Sequence, residues 1–228
     1  MIKAVIFDLD NTLIDFMHMK NQAVDSAIMG MIEAGLNISY QDAKREIFKI
    51  YEEEGYEYQE VLNKFIVSVC NKVDYKLLAA GIVSYRKAKE KSLKTYSQAD
   101  NTLIKLSKLG LKLGLITDAP IREAWTRLYT VNLHHIFDKV LTYDDTKAYK
   151  PSSVPFYTIL DYFKIDPNEA IMVGDWPEKD ICGAKNVGMQ TAFAKYGNSN
   201  QSLDNLGADV VLNDISEILK YIESENKK

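Results

Sequence analysis

Two aspartates stand two residues apart in FDLDNT at 7–12, directly after the apolar run Ala4 to Phe7. If the extended backbone persists, Asp8 and Asp10 point to the same side. Carboxylates held that close repel by about a few kcal/mol at an effective dielectric near 20. They coexist only beside a cation or with one of them protonated. Either state is useful: an ionised, metal-bound nucleophile next to a neutral carboxylic acid. Three further motifs follow in order, LITDA at 115–119, KP at 150–151 and GDWPEKD at 174–180. Thr117 offers a hydroxyl and Asp118 a backbone N–H, both donors suited to phosphoryl oxygens. Lys150 precedes a proline, which disfavours helix and leaves it in extended loop. There it supplies positive charge to a site crowded with carboxylates and phosphate. Asp175 ends an apolar strand and is the better partner of Asp8 for a metal, while Asp180 suits the N-terminal end of a helix. A few oxygen donors completed by water is a common Mg2+ arrangement. The set describes Mg2+-dependent phosphoryl transfer.

For residues this far apart in sequence to meet, strand ends must gather them. Apolar runs at Ala4 to Phe7, Leu113 to Ile116, Lys139 to Tyr143 and Ala170 to Val173 read as strands buried on both faces. Helical spacing lies between or after them: Leu103, Leu106 and Leu109; Ala124, Leu128 and Val131; Phe156, Ile159, Leu160 and Phe163. This alternation predicts an α/β fold, a doubly wound parallel sheet with helices on both faces. In such sheets ligands bind beyond the carboxyl ends of the strands, where all four motifs lie.

The stretch from Phe16 to about Lys94 breaks the alternation and reads as helix throughout. Phe16, Met19, Ala23, Ala27 and Met31 mark a first helix, with Gly35 as its stop. Ser39 with Asp42 starts a second through Ala43, Ile47 and Ile50. Val61, Leu62, Phe65, Ile66 and Val69 mark a third, and Asp74 caps a fourth through Leu77, Leu78, Ile82 and Tyr85. The expected division is a core of 1–15 and 96–228 and an inserted four-helix domain of 16–95. Two neighbouring crossings suit a hinged lid and a rigid second domain alike. Tyr51, Tyr56 and Tyr58 around Gly55 read as bundle packing or as a loop facing substrate. The charged stretch Glu223 to Lys228 reads as a frayed tail.

Hydrophobic residues make up 46% and charged residues 26% of the 228, the balance of a folded globular chain. The net charge of -4 disfavours a duplex nucleic-acid partner. Cys70 and Cys182 form no CxxC, so neither a disulfide framework nor a zinc site is expected, and a reducing cytoplasm is the natural setting. The first apolar run is cut by Asp8 well short of a signal peptide's core, and no window approaches a membrane span.

The ordered set FDLDNT, LITDA, KP followed by PF, and GDWPEKD resembles the four signature motifs of the haloacid dehalogenase (HAD) superfamily, in its phosphatase branch. The resemblance spans the chain from Asp8 to about Val210 and implies a Rossmann-like core with a helical C1 cap at the position of the insertion. It implies that Asp8 is the nucleophile that forms an aspartyl-phosphate, and that Asp10 protonates the leaving oxygen and then activates water. Mg2+ would be held by the Asp8 carboxylate, the Asp10 backbone carbonyl and the Asp175 carboxylate. Thr117, Asp118 and Lys150 would bind the phosphoryl group, with Asp180 supporting the ligands from behind. The true dehalogenases of the family lack the second Asp of the first motif, so Asp10 favours phosphate esters. Where relatives often carry proline in the start of the following helix this chain has Ser153, which can cap that helix instead.

The expected function is hydrolysis of a small phosphorylated metabolite, a sugar, triose or glycolate-type phosphate or a nucleotide. A phosphomutase or phosphotransferase would use the same residues behind a cap that excludes water. A signalling receiver module also combines acidic residues, Mg2+, Thr and Lys, but at about half this length and without the insertion.

Overall fold

The computed structural model describes residues 1–198 and 205–227. Among them a six-stranded, all-parallel sheet runs in the order β3-β2-β1-β4-β5-β6. Its strands are β1 (Ala4–Phe7), β2 (Lys112–Ile116), β3 (Lys139–Leu141), β4 (Ala170–Gly174), β5 (Gln190–Ala194) and β6 (Val210–Leu212). β1 lies at the centre, with Phe7 opposite Leu115 of β2 on one side and Val173 of β4 on the other. Every residue of β1 is fully buried, which is why its sequence is continuously apolar rather than alternating. Ala4 and Ile6 meet Phe156, Ile159 and Leu160 on one face.

The helices of the inserted region between β1 and β2 are α1 (Phe16–Glu33), α2 (Tyr40–Glu54), α3 (Val61–Cys70) and α4 (Tyr75–Ser92). The remaining helices are α5 (Ala99–Lys108), α6 (Ile121–Thr130), α7 (Tyr143–Thr146), α8 (Ser153–Phe163), α9 (Cys182–Asn186) and α10 (Glu217–Glu225). The chain divides into two compact units, Met1–Asp15 with Lys94–Lys228, and Phe16–Leu93.

The helical unit has its own core, built on Ile28, Met31, Ile47, Tyr51, Phe65, Leu77 and Leu78. Its helix starts follow local chemistry. The Ser39 side chain accepts from the backbone N–H of Asp42, and Asp74 accepts from those of Lys76 and Leu77. Gly35 adopts a left-handed φ of +112° just past α1, a backbone that L side chains rarely take. Tyr56 stacks on Tyr51 with ring centroids 5.7 Å apart. Lys20, buried in α1, donates to the Tyr56 carbonyl at 2.8 Å and lies 4.5 Å from the Tyr51 ring centroid.

Three local expectations are corrected. β3 ends at Leu141 instead of continuing to Tyr143, because Thr142 caps the short α7: its N–H and hydroxyl both donate to Asp145. The cap of α8 is Ser152, whose hydroxyl accepts from the Val154 N–H, and Ser153 is the first helical residue. The tail is held rather than frayed as far as Asn226, whose side chain accepts from the Ile2 N–H at 2.6 Å and donates to the Ile2 carbonyl. No helix among the described residues is long and apolar enough to cross a membrane.

Candidate active site

The parallel register brings the first, second and fourth motifs to one end of the sheet. Asp8 follows β1, and its N–H donates to the Val173 carbonyl of β4. Thr117 follows β2 and donates to the Leu141 carbonyl of β3. Asp175 follows β4 directly.

Lys150 arrives from the loop before α8 and ties the centre together. Its ammonium, on a residue only 4% exposed, donates to Asp8 Oδ1 at 2.5 Å, Asp180 Oδ1 at 2.7 Å and the Ile116 carbonyl at 3.2 Å. The other oxygen of Asp180 accepts from the Trp176 N–H at 3.0 Å. Both oxygens of Asp180 are therefore committed to holding Lys150 and the loop after Asp175. That geometry requires Gly174: a Cβ there would lie 2.3 Å from the Asp180 carboxyl carbon. Asp180 is carried on a wide helical turn, Pro177–Ile181, that leads into α9, so it points back at the strand end rather than out from a helix start.

Asp8, Asp175 and Asp180 are all buried and present carboxylate oxygens within 4.8 Å of one another. Burial is the largest influence on Asp8 and raises its pKa to about 7; Lys150 opposes this, and the charges of Asp180 and Asp10 add to it. Asp175 is pushed well above the ordinary carboxylate range by burial, then by Asp8 and Asp180. For Lys150, burial acts to lower the pKa, but Asp180 and Asp8 outweigh it and the net direction is upward. Three buried carboxylates thus meet one ammonium and remain under-compensated. Hard oxygen donors with a deficit of positive charge are the donor set that Mg2+-like cations take, so the triad can hold a metal.

Asp118 does more than offer a backbone N–H. One carboxylate oxygen accepts from the Lys150 N–H at 2.9 Å and the other from Lys179 at 3.0 Å. The Thr117 hydroxyl is buried and accepts from the Ala119 N–H. Asp10 is turned toward α6, where the Arg127 guanidinium donates to its Oδ2 at 2.6 Å. Lys147, the nearest sequence competitor of Lys150, lies at the surface with Asp144.

A second layer anchors Asp175 and the loop after Asp8. The Thr12 hydroxyl donates to Asp175 Oδ1, the Tyr196 hydroxyl to the Thr12 carbonyl, and the Asn198 amide to the Asp175 carbonyl. Gly197 touches this loop so closely that a Cβ would fall 1.5 Å from the Asn11 carbonyl oxygen. Sequence reasoning missed Arg127, Lys179 and this layer. Arg127 did leave a signal, a cation at the apolar spacing of Ala124, Leu128 and Val131. Tyr196 and Gly197 left none, since they lie in a short turn after β5 with no periodicity.

A family model described as haloacid dehalogenase-like hydrolase matches residues 5–194. A glyceraldehyde 3-phosphate phosphatase of Methanocaldococcus jannaschii is 32% identical over 227 residues, 100% of both chains. Another of Pyrococcus furiosus is 33% identical over 228 residues, 99% of this chain and 95% of that one. Among solved structures, a HAD phosphatase from Thermococcus onnurineus matches with a TM-score of 0.72 at 26% identity, covering 97% of this chain and 98% of that chain.

Proposed function

The chain belongs to the haloacid dehalogenase-like hydrolase family and is a phosphatase, a phosphoric monoester hydrolase, and from that premise we propose that it dephosphorylates a small metabolite, with glyceraldehyde 3-phosphate as the first substrate to expect. The observation that carries the reading is the Asp8 carboxylate at the tip of the central strand, bonded to buried Lys150 and grouped with Asp175 and Asp180. The choice of substrate is supported by glyceraldehyde 3-phosphate phosphatases about a third identical over nearly the full length of both chains.

In the proposed mechanism an Asp8 carboxylate oxygen attacks phosphorus, and the bond from phosphorus to the ester oxygen breaks. The Asp10 carboxyl gives its proton to that departing oxygen. Water then attacks the aspartyl-phosphate, the phosphorus bond to Asp8 breaks, and Asp10 takes the water's proton, which returns both residues to their starting state. The Thr117 hydroxyl and the Asp118 N–H donate to the phosphoryl oxygens, and Lys150 balances their charge while holding Asp8 in line. The carboxylates of Asp8 and Asp175 and the Asp10 main-chain carbonyl would hold Mg2+, with Asp180 behind them, and the ion would supply positive charge that offsets the buried carboxylates and the phosphate. We also place the protein in a reducing cytoplasm, in keeping with its free cysteines, Cys70 and Cys182.

The test is release of inorganic phosphate, with Mg2+ and with a chelator, from glyceraldehyde 3-phosphate, 2-phosphoglycolate, a sugar phosphate, a nucleotide and pyrophosphate. The reading expects kcat/KM for glyceraldehyde 3-phosphate to exceed the others by roughly tenfold or more, and activity to vanish on chelation. Turnover that requires a bisphosphate activator and yields an isomerised phosphate would replace hydrolase by mutase.

A further inference from the structure

We propose that Arg127 is the positioning residue for proton transfer by Asp10, a role that rests on the reading of Asp10 as the acid and base of the reaction. Arg127 is among the largest fully buried side chains, with a side-chain exposure of 2%. It occupies the inward face of α6 beside Ala124 and Leu128, where the pattern of the helix calls for an apolar residue. A guanidinium in that place is not explained by stability, because apolar replacements of buried ion pairs are often neutral or stabilising. Its reach explains it: Nη1 lies 2.6 Å from Asp10 Oδ2, across 117 positions of sequence. A charge-assisted bond of this length is roughly twice as strong as a neutral one and directs the carboxyl toward α6.

The two aspartates of the first motif are thus held by two different buried cations. Lys150 grips Asp8 and joins it to Asp180. Arg127 grips Asp10 and draws it to α6. Two like groups that neighbour each other in sequence are thereby given separate places, one for attack on phosphorus and one for handling the proton. In the first half-reaction the bond from Asp8 to phosphorus forms as the bond to the ester oxygen breaks, and the Asp10 proton moves onto that oxygen. Arg127 touches neither phosphorus nor the departing oxygen; it acts by setting where the Asp10 carboxyl stands.

This role has a signature that a merely structural one lacks. An alkyl phosphate leaves as a strongly basic alkoxide and needs the proton, whereas p-nitrophenyl phosphate leaves as a stable phenolate and does not. kcat/KM covers only the steps through the first irreversible one, so the shared hydrolysis of the aspartyl-phosphate drops out. The experiment measures kcat/KM of the Mg2+-loaded wild type, Arg127→Met, Arg127→Lys and Asp10→Asn with glycerol phosphate and with p-nitrophenyl phosphate. General-acid catalysis contributes about 10²- to 10⁴-fold, so Arg127→Met is expected to lose at least about tenfold more on the alkyl ester than on the aryl one. Arg127→Lys, which keeps a buried cation but not the planar fork, is expected to fall between the wild type and the Met variant. It decides the matter if the Met variant does not fold. Equal losses on both substrates in the Arg127 variants, with a leaving-group-dependent loss in Asp10→Asn, would overturn the inference and leave Arg127 as a structural residue. Equal losses in Asp10→Asn itself would overturn the role of Asp10, and with it the reading on which the inference stands.

Discussion

Replacing Lys150 by Met removes the cation that three oxygen groups share, and its cost follows from those contacts. Lys150 bonds Asp8 at 2.5 Å and Asp180 at 2.7 Å in a buried setting. Removing one partner of a buried ion pair costs about 3–5 kcal/mol. For a chain of this size each kcal/mol moves Tm by about 2–4 °C, so the fall is about 6–20 °C in the absence of metal. The loss also has a definite pH dependence. The pKa of Asp8 is raised to about 7, so its contribution to folding is intact below the unfolded value and lost as pH rises through 7. Lys150 lowers that pKa, so deleting it moves the value further up. At about pH 5 Asp8 is then neutral with or without the lysine, and the one attraction between opposite charges that is lost is that to Asp180. At about pH 8 the variant must also bury Asp8 against its charge, or protonate it, and the gap to wild type widens. The assay is thermal unfolding of both proteins in chelator across that range. A Tm change under about 3 °C at the alkaline end, or a gap that shrinks as pH rises, would refute the electrostatic account of the centre.

Two other outcomes follow from the same geometry. Metal-free wild type should lose stability between about pH 4 and pH 7 as the raised pKa of Asp8 is crossed; chemical denaturation measures this, and added Mg2+ should raise Tm more at the alkaline end than at the acid end. Gly174→Ala places a Cβ 2.3 Å from the Asp180 carboxyl carbon, and the displacement of Lys150 that follows should cut kcat by about a hundredfold in a phosphate-release assay.

How much of this could be read from the chain alone differs by residue. Three strand ends were legible because the apolar run stops at a residue of the proposed chemistry: Phe7 before Asp8, Ile116 before Thr117, Gly174 before Asp175, whereas the run from Lys139 extends two residues past the end of its strand. The helical insertion was equally legible, since its apolar spacing and its caps at Ser39 and Asp74 are local signals. The partners of the aspartates were not. Nothing near Asp10 points to Arg127, and nothing near Asp118 shows that its carboxylate bonds both the Lys150 N–H and Lys179. Such contacts are set by how α6 and the loop before α8 close over the sheet, a tertiary property without sequence periodicity. The same holds for Gly197, whose need to be glycine comes from the Asn11 carbonyl pressed against it.

The central claim is that Asp8 carries the phosphoryl group, and the most direct measurement is capture of that species. Enzyme with Mg2+ is mixed with glyceraldehyde 3-phosphate labelled in its phosphoryl group, quenched in acid within a turnover, and digested for peptide mapping. The account predicts label on the peptide that contains Asp8, and neither label nor phosphate release in Asp8→Asn. Turnover that persists in Asp8→Asn, or label on a different residue, would contradict it.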